Sequence, residues 1–182
     1  ISECLVGSEM CIRDSMEGVR DSSEMLVALT QYLDALDKPT VLVFFGDHRP
    51  NLGTACTELG LRYNLNETPQ ETVDTYAVPY VIWSNEAYAS AVDLPARYAA
   101  LALPENGYLS DNYLGAMVLQ LIGYHGQSAF FDELNALRAE LPVLREREAT
   151  YCLADGTYTD TLPPELAAAV SRLHKWTYYL LK

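Results

Sequence analysis

Basic residues are scarce. The 182-residue chain has 12 Lys+Arg against 25 Asp+Glu, a formal net charge of −13. That excludes a broad cationic face for DNA or RNA. It leaves anionic substrates open, because a bound cation reverses the charge of a single site. No apolar run approaches the roughly 20 residues that span a bilayer. Cys4-Leu5-Val6 give way at once to polar residues, too short a stretch for the apolar core of a signal peptide. Four cysteines and three histidines leave few candidates for disulfides, thiol chemistry or nitrogen ligands. Against these shortages stand 49% hydrophobic residues and 13 tyrosines, enough for a packed core and incompatible with global disorder.

The chain opens on isoleucine, and Met10-Cys11-Ile12-Arg13-Asp14-Ser15 resembles one reading frame of a transposon adaptor used in sequencing libraries. Residues 1–15 are therefore read as translated adaptor, and residues 16–182 as native sequence. Cys56 and Cys152 are then the remaining cysteines, too few for a disulfide framework.

Asp21-Ser22-Ser23-Glu24 predicts a helix start, followed by Met25, Leu29, Tyr32, Leu33 and Leu36 at helical spacing and stopped by Asp37-Lys38-Pro39. Thr40-Val41-Leu42-Val43-Phe44-Phe45 is apolar without alternation, the pattern of a parallel strand covered on both faces. Residues 52–60 read as a short helix, and residues 61–75 as a polar loop. Val78-Pro79-Tyr80-Val81-Ile82-Trp83-Ser84 predicts a second strand. A helical turn is expected near residues 94–100. Ser110-Asp111-Asn112 predicts a capped helix through Ile122 closed by Gly123, and Ser128 a second one stopped by Pro142. Asp155-Gly156 suggests a hairpin turn, and residues 165–182 a last helix or a helix passing into a strand. The order helix, strand, strand, helix indicates an α/β fold.

The chemistry concentrates where Val41-Leu42-Val43-Phe44-Phe45 runs into Gly46-Asp47-His48. Ligands of α/β sheets bind outside the carboxyl ends of strands. A glycine there lets the chain turn and brings the neighbouring carboxylate and imidazole to one point. A hard oxygen beside a borderline nitrogen suits Mn²⁺ or Zn²⁺. Arg49 follows as a weaker candidate for a phosphate. His125, His174, Cys56 and Cys152 read as surface or packing residues, and Tyr80 and Trp83 as core.

Lys38-Pro39-Thr40, the strand, Gly46-Asp47-His48-Arg49-Pro50, Val78-Pro79-Tyr80-Val81-Ile82-Trp83-Ser84-Asn85 and Leu109-Ser110-Asp111-Asn112-Tyr113-Leu114-Gly115 occur in order. Over most of residues 18–142 this series resembles the carboxyl-terminal part of the lipoteichoic acid synthase family, phosphoglycerol transferases of the sulfatase and alkaline-phosphatase superfamily. The resemblance implies a fragment of an alkaline-phosphatase-like sheet flanked by helices. It also implies a divalent metal, Mn²⁺ first and Mg²⁺ or Zn²⁺ otherwise, with Asp47 and His48 as two of its ligands. A Thr nucleophile and the remaining ligands are expected upstream, so no catalytic nucleophile is assigned in this chain. The implied partners are a phosphatidylglycerol-type lipid and a polymer or glycolipid acceptor, with no nucleic acid. The implied parent is a cell-membrane protein whose catalytic domain faces outward. The competing readings are a sulfatase, a phosphoethanolamine transferase or a phosphatase of the same superfamily, and a non-catalytic α/β binding module.

Overall fold

The computed structural model describes residues 9–61 and 68–180. Its mixture of helices and short strands is an α/β architecture, divided into two compact units. One holds the described residues up to Leu61 together with Asp74–Val92; the other holds residues 68–73 and everything from Asp93 onward.

The first unit begins with a long helix, α1 (Glu9–Asp34), none of whose residues is fully buried. The expected start at Asp21 is absent, and the helix runs straight through it. Ser22 and Ser23 donate their hydroxyls to the carbonyls of Gly18 and Val19, both at 2.8 Å. Serines that satisfy themselves one turn back sit inside a helix instead of capping it. α1 thus includes part of the segment read as adaptor.

β1 (Val41–Phe45) pairs with β2 (Tyr80–Ser84) in antiparallel register, from Val41 opposite Ser84 to Phe45 opposite Tyr80. The parallel arrangement expected from the unbroken apolar run is therefore corrected. Such a run reports that both faces are apolar and carries no information about a partner's direction. Nor does the expected burial occur within this chain, where all five residues of β1 keep solvent contact and Phe45 is 54% exposed. α2 (Thr54–Glu58) lies between the strands in sequence.

The segment read as a polar loop contains α3 (Pro69–Tyr76). Its start is a capping box that composition obscured. Glu71 N–H donates to Thr68 Oγ1 at 3.2 Å, Thr68 N–H donates to Glu71 Oε2 at 3.1 Å, and proline occupies the first helical position. Residues 62–67 lie outside the described residues.

Asn85, at the end of β2, is fully buried and satisfies five backbone groups. Its Oδ1 accepts from Tyr88 N–H at 3.0 Å, capping α4 (Glu86–Ala91), and from Thr40 N–H at 2.9 Å. Its Nδ2 donates to the carbonyls of Leu33, Leu36 and Lys38 at 3.1, 3.2 and 2.9 Å. One amide thereby ties the end of α1 and the entry to β1 to the exit of β2.

In the second unit, α5 (Leu94–Ala99) is capped by Asp93, whose Oδ1 accepts from Ala96 N–H. A 3-10 turn over Asp111–Tyr113 leads into α6 (Leu114–Leu121), followed by α7 (Ala129–Glu140) and α8 (Pro164–Leu180). Tyr113, Ala116, Leu134, Leu137, Leu141, Leu166, Val170 and Leu173 form its core. Neither Ser110 nor Ser128 caps with its side chain. Ser110 Oγ instead accepts from Leu144 N–H at 2.7 Å, holding the turn against β3 (Val143–Arg145), a strand too short to show in the pattern. β3 pairs with β4 (Thr150–Cys152), which pairs with β5 (Tyr158–Thr159), all antiparallel, around Gly156 at φ 84°. The chain then remains helical through Leu180.

Two polar groups inside this unit escaped the hydrophobic pattern. Arg138 is 3% exposed and donates to the carbonyl of Leu101 and to Gln120 Oε1, fastening α7 to α6 and to the turn after α5. The Tyr113 hydroxyl is buried without a hydrogen-bond partner among the described residues, and burial pushes its pKa well up despite the nearby Arg138 charge.

Two substitutions should act in opposite directions. Asn85→Ala removes five bonds and leaves the Leu36 carbonyl and the Thr40 N–H without the partner they have here, while Leu33, Lys38 and Tyr88 keep a second one, and it should destabilise the first unit by about 2–3 kcal/mol. Tyr113→Phe removes only an unsatisfied hydroxyl and should be neutral, or stabilising by up to about 1 kcal/mol. Trp83 and Trp176 report on one unit each, so urea titrations followed by fluorescence in Trp176→Phe and Trp83→Phe backgrounds separate the two outcomes.

Candidate metal centre

β1 delivers the chain to Gly46, whose N–H donates to the Pro79 carbonyl at 3.0 Å. A Cβ at this position would lie 3.1 Å from Val78 Cβ. Gly46 is not among the glycines at positive φ. Its value is therefore close approach to the segment before β2, rather than the unusual turn expected of it.

Asp47 and His48 then project at the carboxyl end of β1, with side chains 83% and 76% exposed. Asp47 Oδ1 accepts the His48 N–H at 2.8 Å, and Asp47 Oδ2 lies 2.9 Å from His48 Nδ1. The His48 backbone N–H is the main reason the Asp47 carboxyl is held below its ordinary pKa, with the imidazole adding to it. The carboxylate is thus ionised under ordinary conditions.

The pair fits a divalent cation. Two donors at right angles on an ion with bonds of about 2.0–2.2 Å stand roughly 3 Å apart, close to the observed separation of Oδ2 and Nδ1. Cation binding there would replace the contact now made between the two side chains. Among the described residues no third His, Cys, Asp or Glu completes the cluster.

Arg49 turns back on the backbone: its Nε–H donates to the Ala77 carbonyl at 2.5 Å. Beyond it, Cys56 of α2 is 3% exposed, and its Sγ accepts the Leu52 N–H at 3.2 Å and lies 3.8 Å from the Pro50 carbonyl. This burial agrees with the packing role expected of Cys56. Asp111, Cys152, His125 and His174 all belong to the second unit. Asp111 Oδ1 accepts its neighbour's N–H, from Asn112. His125 is exposed, and His174 Nε2 lies 2.7 Å from Glu146 Oε2. Burial raises the pKa of Cys152, as suits a packed thiol rather than a nucleophile.

The sulfatase family model matches residues 12–124, more than half of the chain, and this span includes β1, β2 and the Asp47–His48 turn. The chain belongs to the sulfatase family. It is also similar to a Rhizobium meliloti (strain 1021) protein named "Putative cyclic beta-1,2-glucan modification protein", with 26% identity over 106 residues. That similarity covers 54% of this chain and 17% of the relative, so the chain spans a small part of the protein it resembles. No solved structure matches. Sulfatase-family proteins are typically hydrolases or transferases, and the match begins inside the segment read as adaptor.

The contact at Gly46 predicts graded sensitivity. Gly46→Ala asks Val78 to give a few tenths of an ångström and should be mild. Gly46→Val overpacks the same place and should cost about 1–3 kcal/mol. Urea unfolding followed through Trp83 checks the order.

Proposed function

We propose that the chain is the carboxyl-terminal part of the catalytic domain of a metal-dependent phosphoglycerol transferase resembling the lipoteichoic acid synthases. The observation that carries this reading is the Asp47–His48 pair at the carboxyl end of β1, its donor atoms 2.9 Å apart and open to solvent. Family membership supports a metal-dependent group-transfer or hydrolytic centre. The glucan-modifying name of the relative supports attachment of a group to a saccharide rather than simple hydrolysis.

In this reading Asp47 and His48 hold Mn²⁺, or Mg²⁺ or Zn²⁺, as two of several ligands. The cation when bound lowers the pKa of a nucleophilic hydroxyl and offsets charge on a phosphoryl oxygen. Asp47 contributes negative charge, which an acidic protein approaching an anionic lipid needs to balance with the cation. His48 contributes a neutral nitrogen, so it must bind unprotonated. The nucleophile, a Thr by resemblance, and the other ligands lie on residues not in this chain. The donor would be a phosphatidylglycerol-type lipid and the acceptor a polymer or glycolipid, at the outer face of a cell membrane. Among the described residues no helix is long and apolar enough to cross one.

The chain has three histidines, which makes the site directly readable. Substoichiometric Mn²⁺ should broaden the imidazole proton resonances of His48 more than those of His125 and His174, and Asp47→Ala should remove the difference. Equal broadening of all three would sink the reading. With phosphatidylglycerol and Mn²⁺ the chain alone should give no turnover. Metal-dependent turnover abolished by Asp47→Ala would show that a nucleophile is present after all.

A further inference from the structure

The Asp47–His48 pair is largely exposed, yet its donor atoms are set at a chelating distance. Nothing packs over the side chains to hold them. The backbone that carries them is fixed from both ends instead. On the strand side, Gly46 N–H is bonded to Pro79, and Gly46 lies against Val78. Three residues on, Arg49 Nε–H is bonded to Ala77, so the same short segment before β2 receives the turn twice. On the far side, the buried Cys56 thiol sits under the outgoing chain, accepting from Leu52 N–H and reaching toward the Pro50 carbonyl.

We propose that Arg49 and Cys56 are positioning residues for the metal pair, clamping the turn from opposite sides so that Asp47 Oδ2 and His48 Nδ1 converge. This rests on the assignment of Asp47 and His48 as ligands. It gives Arg49 a task besides phosphate contact, because its Nε–H goes to a backbone carbonyl while the guanidinium has four further N–H donors. It also makes the Cys56 thiol a reporter of the clamp, because opening the turn uncovers the sulfur. Loss of a group bonded directly to a ligand typically weakens metal binding by about 10–100-fold, and Arg49 and Cys56, acting through the backbone, belong at the low end of that range.

Two arms test the proposal on the full chain. In the first, without metal, each cysteine is alkylated with N-ethylmaleimide and quantified by peptide mass spectrometry. Arg49→Gln should speed modification of Cys56 several-fold and leave Cys152, in the other unit, unchanged. An unchanged Cys56 rate would overturn the clamp whether or not the pair binds metal. In the second, Mn²⁺ is titrated against the His48 resonances. Arg49→Gln and Cys56→Ala should each weaken binding about tenfold, and Cys56→Ser should restore part of it because a hydroxyl can bond the same groups. The thermal midpoint should move by no more than a degree or two, separating positioning from unfolding. Wild-type affinity in both variants would overturn the proposal. Absence of selective His48 broadening in the unmodified chain, with the first arm positive, would overturn the metal assignment and with it the positioning role.

Discussion

The Asn85 side chain answers three carbonyls and two amides at the meeting point of α1, β1, β2 and α4. Each of those elements is short or exposed enough to need it. β1 and β2 have five residues each, and α1 buries none of its own side chains. Among the described residues, the large apolar cluster around Tyr113 and Leu137 lies in the second unit. A carboxamide can join these elements, having donors and acceptor in one planar group, and full burial makes every unmade bond costly. Asn85 also follows directly on β2, so the register of the two strands and the cap of α4 are set by the same residue. The Asp47–His48 turn inherits its position from that register, through Gly46, Pro79 and Val78.

The site that results is unusual in how little covers it. The Asp47 and His48 side chains are exposed, while the turn that carries them is bonded through Gly46 and Arg49 to the segment before β2. In a protein of net charge −13, an ionised Asp47 adds to an already negative surface. Such a surface attracts cations in general.

Where sequence reasoning went astray, the cause was usually a polar residue with two possible duties. Asp21-Ser22-Ser23 has the composition of a cap and lies in mid-helix, because the serines bond their own preceding turn. Ser110 and Ser128 precede helices as caps do, yet Ser110 is spent on β3. Thr68-Pro69-Gln70-Glu71 was a capping box in plain view, hidden by the polarity of the residues around it. Arg138 carries a charge that no hydrophobic pattern would place inside, and its partners come from Leu101 and Gln120, far along the chain. Propensity describes what a side chain can do, and only the surrounding backbone decides which of its bonds is made.

By itself the sequence determined the two apolar strands, the helices of the second unit, the hairpin at Gly156 and the adjacency of a carboxylate and an imidazole after β1. These are local properties, written in periodicity, glycine placement and neighbouring residues, and they survive without knowledge of any distant contact. The tertiary structure decided the antiparallel pairing of β1 with β2, the role of Gly46 as a point of close approach and the saturation of Asn85. It also decided the bond from Arg49 to the Ala77 carbonyl and the burial of Cys56 beneath Leu52 N–H. Most of these join residues separated by a loop or a helix, and their energies depend on burial and geometry that only the folded chain supplies.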